Sequence, residues 1–225
     1  MSERHRFGES EEMYLKTVFV LAETVNPVPV TVLAERLGIS TVSASEMVGR
    51  LQDRSLLDHT PYKGVRLTAD GEERARAVLR RHRLWERFLT DRLEMDWAQA
   101  HDAACQLEHL GDEAVIDALD GFLGWPETCP HGNPIPRPGR EAAEPAGVRL
   151  SSLQAGEAGA VLGVQIEDRA LLTQLDQSGL CPGSAFLLRS VGPRGVRVLQ
   201  VEGETQTLAD EVAGRIIVRR DTDRA

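Results

Sequence analysis

The stretch VTVLAERLGISTVSASEMVGRLQDRSLLDHTPYKGVRLT, residues 30–68, decides how this chain is read. Residues 30–38 form a short amphipathic helical pattern stopped by Gly38, and Ile39-Ser40 connects it to a second helix over 41–55 with a Ser/Thr-rich start. Leu56 to Thr68 reads as a hairpin turning near Tyr62-Lys63-Gly64. Helix, glycine turn, helix and hairpin is the order of a winged helix-turn-helix. In that arrangement Ser40, Thr41, Ser43 and Glu46 stand at the start of the second helix, where side chains reach base edges. Arg50 and Arg54 are placed for phosphates, and Lys63 and Arg66 for the backbone or the minor groove. The competing reading is a plain helical hairpin packed in a core. It leaves both the hairpin behind the helices and the small polar residues around the connector without a purpose.

Outward from this stretch the pattern stays helical. Residues 10–25 form a helix ended by Asn26-Pro27-Val28-Pro29. A long helix is predicted from Ala69 to about Arg92, and another from Ala98 to about Phe122. Six of the eleven prolines fall within residues 124–147, which read as a loop or linker. Beyond it, the runs AVLGV, AFLLRSV, VRVLQV and RIIVRR, separated by Gly, Pro and Asp, are the pattern of a small β-barrel. The fold class is mainly α with small β.

A formal charge of −9 is at first sight wrong for a nucleic-acid binder, so its distribution decides. Residues 1–80 carry 11 basic and 12 acidic side chains, against 7 and 13 for residues 81–150. A nearly neutral N-terminal third can present a basic face to DNA, while an acidic centre suits cations. The three cysteines, Cys105, Cys129 and Cys181, form no CxxC pair, which argues against a disulfide framework and a zinc ribbon. No apolar stretch approaches the ~20 residues a membrane helix needs, and MSERHRFGES has no signal-peptide core. The expected location is cytoplasmic, with no membrane partner.

The second long helix carries His101, Cys105, Glu108 and His109. At about 100° per residue these point to roughly one face. On the preceding helix, His82 and Glu86 are four residues apart, the spacing at which two side chains grip one ion. Imidazole, thiolate and carboxylate together make a mixed-softness site for a first-row divalent metal. The alternative, that each is a solvated or core residue, becomes harder to hold with six such residues on two adjacent helices. Catalysis and sensing both use such ligands. A metallohydrolase would need a general base near the metal, for which Glu86 is the candidate, but the chain has no HExxH motif. A regulator that binds some other effector and uses metal only structurally is the third possibility.

SEEMYLKTVF at the start, RHRLWERFLTD at 81–91, HDAACQLEH at 101–109 and CPHGNPIP at 129–136 resemble the diphtheria-toxin-repressor family of iron- and manganese-dependent regulators. The resemblance runs across the whole chain. It implies a winged helix-turn-helix over 1–72, a helical dimerisation and metal-binding domain over 73–140, and an SH3-like barrel over 148–220. It implies Mn²⁺ or Fe²⁺ as cofactor and a homodimer on double-stranded operator DNA of inverted-repeat symmetry. The family's activating site would fall on Met13, Cys105, Glu108 and His109, with Met13 and Cys105 following its iron-type pattern. Its ancillary site would fall on His82, Glu86 and His101, completed from the barrel by Glu167 or Asp168. The Gln of the iron-type pattern is absent, its place taken by Ala170 or Leu171. Cys129 and His131 in the Pro-rich loop could form a further site, but the loop is typical of the family, and a structural role is the expected one. Metal binding would then select a dimer whose reading heads fit adjacent major grooves.

Overall fold

A computed structural model describes residues 8–110, 112–139, 147–165 and 169–221. They separate into two compact units, one of residues through 81 together with 136–139, the other of 82–135 and the described residues from 147 onward.

In the first unit, α1 (Glu9–Ala22) opens with Glu9, Glu11 and Glu12 in its first turn, where negative charge complements the helix dipole. The predicted helix-turn-helix is present. α2 (Val30–Leu37) ends at Gly38, whose amide bonds back to the last turn, and α3 (Thr41–Asp53) starts at Ser40, whose side chain accepts from the Ser43 amide. β1 (Leu57–Thr60) and β2 (Gly64–Leu67) pair antiparallel as the wing. Val28 bridges to Val65 in both hydrogen-bonding directions at 2.9 Å, pinning the wing to the Pro-flanked segment after α1. Leu15 and Val18 of α1, Leu33 of α2, Met47, Val48 and Leu51 of α3, and Val65 of the wing form one core.

α4 (Ala69–Leu93) carries the chain from the first unit into the second. The expected single helix over 98–122 is instead two, α5 (Trp97–Leu107) and α6 (Glu113–Phe122). The reason is a cap: the Asp112 carboxylate accepts from the Val115 amide at 3.0 Å, so a new helix starts there. Downstream, β3 (Val148–Arg149), β4 (Ala158–Val164), β5 (Ala185–Val191), β6 (Arg197–Val201), β7 (Glu204–Leu208) and β8 (Ile216–Arg220) form an antiparallel sheet of order β3-β8-β4-β5-β6-β7. The sequence reading placed only strands here. The structure adds α7 (Arg169–Gln177), whose Leu172 and Leu175 are fully buried in the sheet's core beside Trp97 and Ala98 of α5.

Candidate functional site

Two regions answer to the sequence expectations, one in each unit. In the first, Ser40, Thr41, Ser43, Glu46, Arg50 and Lys63 are all exposed, as residues that meet a ligand must be. Ser40 also works for the fold, because its hydroxyl caps α3 at 3.1 Å from the Ser43 amide. Arg54, expected to face phosphates, is engaged by Glu11 of α1 at 2.6 Å. Val42, exposed on the same turn as Thr41 and Ser43, was not singled out from sequence; a valine between polar residues gives no signal of its own.

In the second unit, α4 contributes His82 and Glu86, and α5 contributes His101 and Cys105. Glu108 caps α5 with helical dihedrals, so its side chain continues the helix's direction by one residue. Glu86, only 2% exposed, is the hub. One of its oxygens lies 2.9 Å from His82 Nε2 and 2.9 Å from His101 Nδ1, the other 3.4 Å from His131 Nδ1. His82 Nδ1 lies 2.6 Å from an oxygen of Glu108, itself 1% exposed, and Glu108 reaches His109 Nε2 at 3.5 Å. His82, Glu86, His101, Cys105, Glu108 and His109, which the resemblance divides between two sites, therefore form one connected cluster here.

The cluster contains two residues for which a structural role was expected. Cys129 Sγ lies 3.8 Å from His131 Nδ1, and one donor atom from each of Glu86, Cys129 and His131 falls within 4.8 Å of the others. A second such triad is His82, His101 and Cys105. The Pro-rich loop delivers His131 because β4 holds it there. The Val164 amide donates to the His131 carbonyl at 2.8 Å, and the Asn133 side chain donates to the Val164 carbonyl at 2.9 Å. Gly132 makes this close approach possible: its φ is +81°, and a Cβ would stand 2.1 Å from the Leu162 carbonyl oxygen. The sequence offered Cys129 and His131 as ligand-type residues, but nothing local to them announces the contact with β4 that aims His131.

Electrostatically the cluster is a buried acid wrapped in imidazoles. Burial works to raise the Glu86 pKa, but His82 and His131, with hydrogen bonds from His101 and His131, hold it well below the carboxylate range. Burial works against charge on His101, yet hydrogen bonds to Cys105 and Glu86 raise it to about 9. In the same way Glu86 and Cys129 overcome the burial of His131 and raise it to about 10. His131 Nε2 is buried without a hydrogen-bond partner among the described residues. On its other side the same ring brings Nδ1 to the Glu86 carboxylate and the Cys129 sulfur at ligand spacing, a donor set that fits a divalent transition metal.

Met13 belongs to the first unit, where it is 40% exposed. Glu167 and Asp168 lie outside the described residues.

Residues 6–65 match the iron dependent repressor N-terminal DNA binding domain, residues 68–137 the iron dependent repressor metal binding and dimerisation domain, and residues 148–220 the FeoA domain. The chain is 34% identical to the iron-dependent repressor IdeR of Mycobacterium leprae, covering 94% of this chain and 97% of that protein. It is 32% identical to the diphtheria toxin repressor of Corynebacterium glutamicum, covering 94% and 96%. Among solved structures, a manganese-dependent transcriptional repressor in complex with manganese superposes with a TM-score of 0.85 at 31% identity, covering 93% of this chain and 99% of that one. ScaR with bound Cd²⁺ superposes at 0.81 with 28% identity, covering 93% and 98%.

Proposed function

Because the chain belongs to the iron-dependent repressor family, we propose that the cluster around Glu86 is the metal sensor of a transcriptional repressor whose α3 reads the operator. The chain is a metal-dependent DNA-binding regulator with Fe²⁺ or Mn²⁺ as its cofactor. It is not an enzyme, since its relatives are DNA-binding repressors, and Glu86, the candidate base of a metallohydrolase, is engaged by three imidazoles.

One observation carries the assignment of the site. Two almost fully buried carboxylates, Glu86 and Glu108, share His82 and gather His101, His109 and His131 around them. Burying two acids is costly unless cations compensate them. The residues that would hold metal fall in two groups, His82, His101 and Cys105 in one and Glu86, Cys129 and His131 in the other, with Glu108 and His109 beside them. Met13, and Glu167 or Asp168 from the barrel segment, enter on the family resemblance alone. A bound ion would supply divalent charge to the two acids. Meanwhile the chain's own residues fix α4, α5 and the 129–134 loop against one another, because each supplies side chains to one cluster.

The operator is read by Thr41, Ser43 and Glu46, with Arg50 and Lys63 on phosphates. The dimer forms through the apolar surface left exposed at the end of α4 and on α6. Leu93 is 55%, Val115 49%, Phe122 62% and Trp125 57% exposed, and Val115 and Phe122 share a face at seven-residue spacing. A twofold dimer calls for an inverted-repeat operator, read in the cytoplasm where the DNA is. The test is fluorescence anisotropy on an operator duplex with Mn²⁺, with anaerobic Fe²⁺ and with chelator. Metal removal should lower affinity toward the non-specific level, within the ~10³–10⁷ range that separates the two modes. Unchanged operator binding by demonstrably metal-free protein would sink the sensor assignment.

A further inference from the structure

The tip of the wing carries an aromatic residue whose placement the fold does not need. The Lys63 amide bonds to the Thr60 carbonyl at 3.0 Å, with Pro61 second and Tyr62 third in the turn, and Tyr62 has a φ of +64°. This is the pattern of a type II turn, whose third position favours Gly or Asn because it lies in the left-handed region. A bulky aromatic there is strained. The chain does use glycine where sterics leave no choice: two residues on, Gly64 has a φ of +121°, and a Cβ would lie 2.4 Å from the Val28 carbonyl oxygen. At position 62 no such crowding rules, and the side chain returns nothing to the core. Tyr62 is 108% exposed, more than its extended reference state. Among the described residues the other positive-φ aromatic is Trp125, whose ring stands 3.6 Å from where a Cβ of Gly121 would be, so that ring has an intramolecular neighbour.

Strain kept at a fully exposed position points to a contact outside the chain. β1 packs against α3, and the Val28–Val65 bridge fixes the hairpin, so the tip is presented from the same rigid unit as the recognition helix. Its neighbour is Lys63, also exposed. We propose that Tyr62 is a DNA-contacting residue. Its ring packs on a deoxyribose and its hydroxyl donates to a phosphate oxygen, outside the major groove that α3 enters. Tyrosine hydroxyls are among the ordinary donors to DNA phosphates. Such a contact sets register and affinity without reading sequence. The inference rests on the repressor function proposed above.

The test uses the full chain saturated with Mn²⁺, an operator duplex and a non-operator duplex. Tyr62→Asn keeps a residue that tolerates the turn, so the melting temperature should not fall. Operator and non-operator affinity should both drop about tenfold, as for a lost hydrogen bond to a charged acceptor plus lost sugar packing. The slope of affinity against salt should stay the same, because no charge is removed, whereas Lys63→Ala should reduce it by about 1. Tyr62→Phe, which removes the hydroxyl alone, should lose part of the tenfold. Affinity within twofold of the unaltered chain in Tyr62→Asn overturns the proposal. So does a fall in melting temperature with affinity intact, which would assign Tyr62 to the fold. If the unaltered chain itself shows no metal-dependent operator binding, the repressor function fails, and this proposal fails with it.

Discussion

Replacing Glu86 by Gln removes one charge and almost no volume from the centre of the buried cluster. In the metal-free protein the Glu86 carboxylate is what permits His131, 3% exposed, to keep a proton at neutral pH. The His131 pKa stands at about 10 against 6.5 for the free side chain, and each pKa unit corresponds to about 1.4 kcal/mol. His101, raised to about 9, draws on the same carboxylate, so the two contributions do not add. Breaking a buried ion pair by removing one partner costs about 3–5 kcal/mol. The histidines of the variant can shed their protons rather than stay charged, so we expect the lower end, about 3 kcal/mol at pH 7. The pH dependence is sharper than the magnitude. A histidine raised by folding contributes fully below 6.5 and loses its contribution as pH climbs through about 9 to 10. Glu86, lowered by folding, contributes above 4.5 and loses its contribution as pH falls through its folded value. The stability gap between the two proteins should therefore be widest from about pH 5 to 7 and narrow toward pH 10. Urea unfolding in chelator, followed by tryptophan fluorescence, measures it, because Trp85, Trp97 and Trp125 all lie in the second unit and Trp97 meets the His131 ring at 4.7 Å. A gap below about 1 kcal/mol at pH 7, or one that does not narrow by pH 9.5, would refute the reasoning.

Three further outcomes are expected. Mn²⁺ binding at pH 7.5 should release at least two protons per chain, since His101 and His131 hold theirs to about 9 and 10, a liganding imidazole must be neutral, and any liganding thiol gives up its proton as well; calorimetry in buffers of different ionisation enthalpy reads this, and zero release contradicts the assigned ligands. Gly132→Ala should cost about 1–3 kcal/mol and weaken metal binding, because its Cβ strikes the Leu162 carbonyl at 2.1 Å; a variant with native metal affinity would show that the loop does not position ligands. Arg50→Ala should weaken binding to operator and non-operator DNA alike and lower the salt slope by about 1, and a changed base preference with the slope intact would mean that α3 docks differently.

The parts of this architecture that a short window specifies were legible in the sequence. Gly38 and Ser40 mark the stop and start of α2 and α3, and the four-residue spacings of His82 with Glu86 and His101 with Cys105 put each pair on one face. The break between α5 and α6 was missed although Gly111 and Asp112 offer a stop and a cap, because the spacing of Leu107 and Leu110 keeps the helical pattern running up to them. α7 was hidden among strands because nine residues between β runs give little periodicity, although the three-residue spacing of Leu172 and Leu175 is helical. The place of Cys129 and His131 in the cluster is a tertiary fact. It depends on β4, whose contact with Gly132 no local pattern announces.

The hold of β4 on the 129–134 loop also has a consequence for how the protein is made. Most of the cluster is encoded early: once residue 109 has left the ribosome, six of its side chains are present, on α4, on α5 and just past the end of α5. Cys129 and His131 follow soon after, yet the strand that aims His131 at Glu86 is not synthesised until residues 158–164. The nascent chain thus passes through an interval in which histidine, thiol and carboxylate groups are available without the frame that orders them. A truncation or frameshift between residue 131 and β4 would leave these ligand-type side chains without the strand that aims His131.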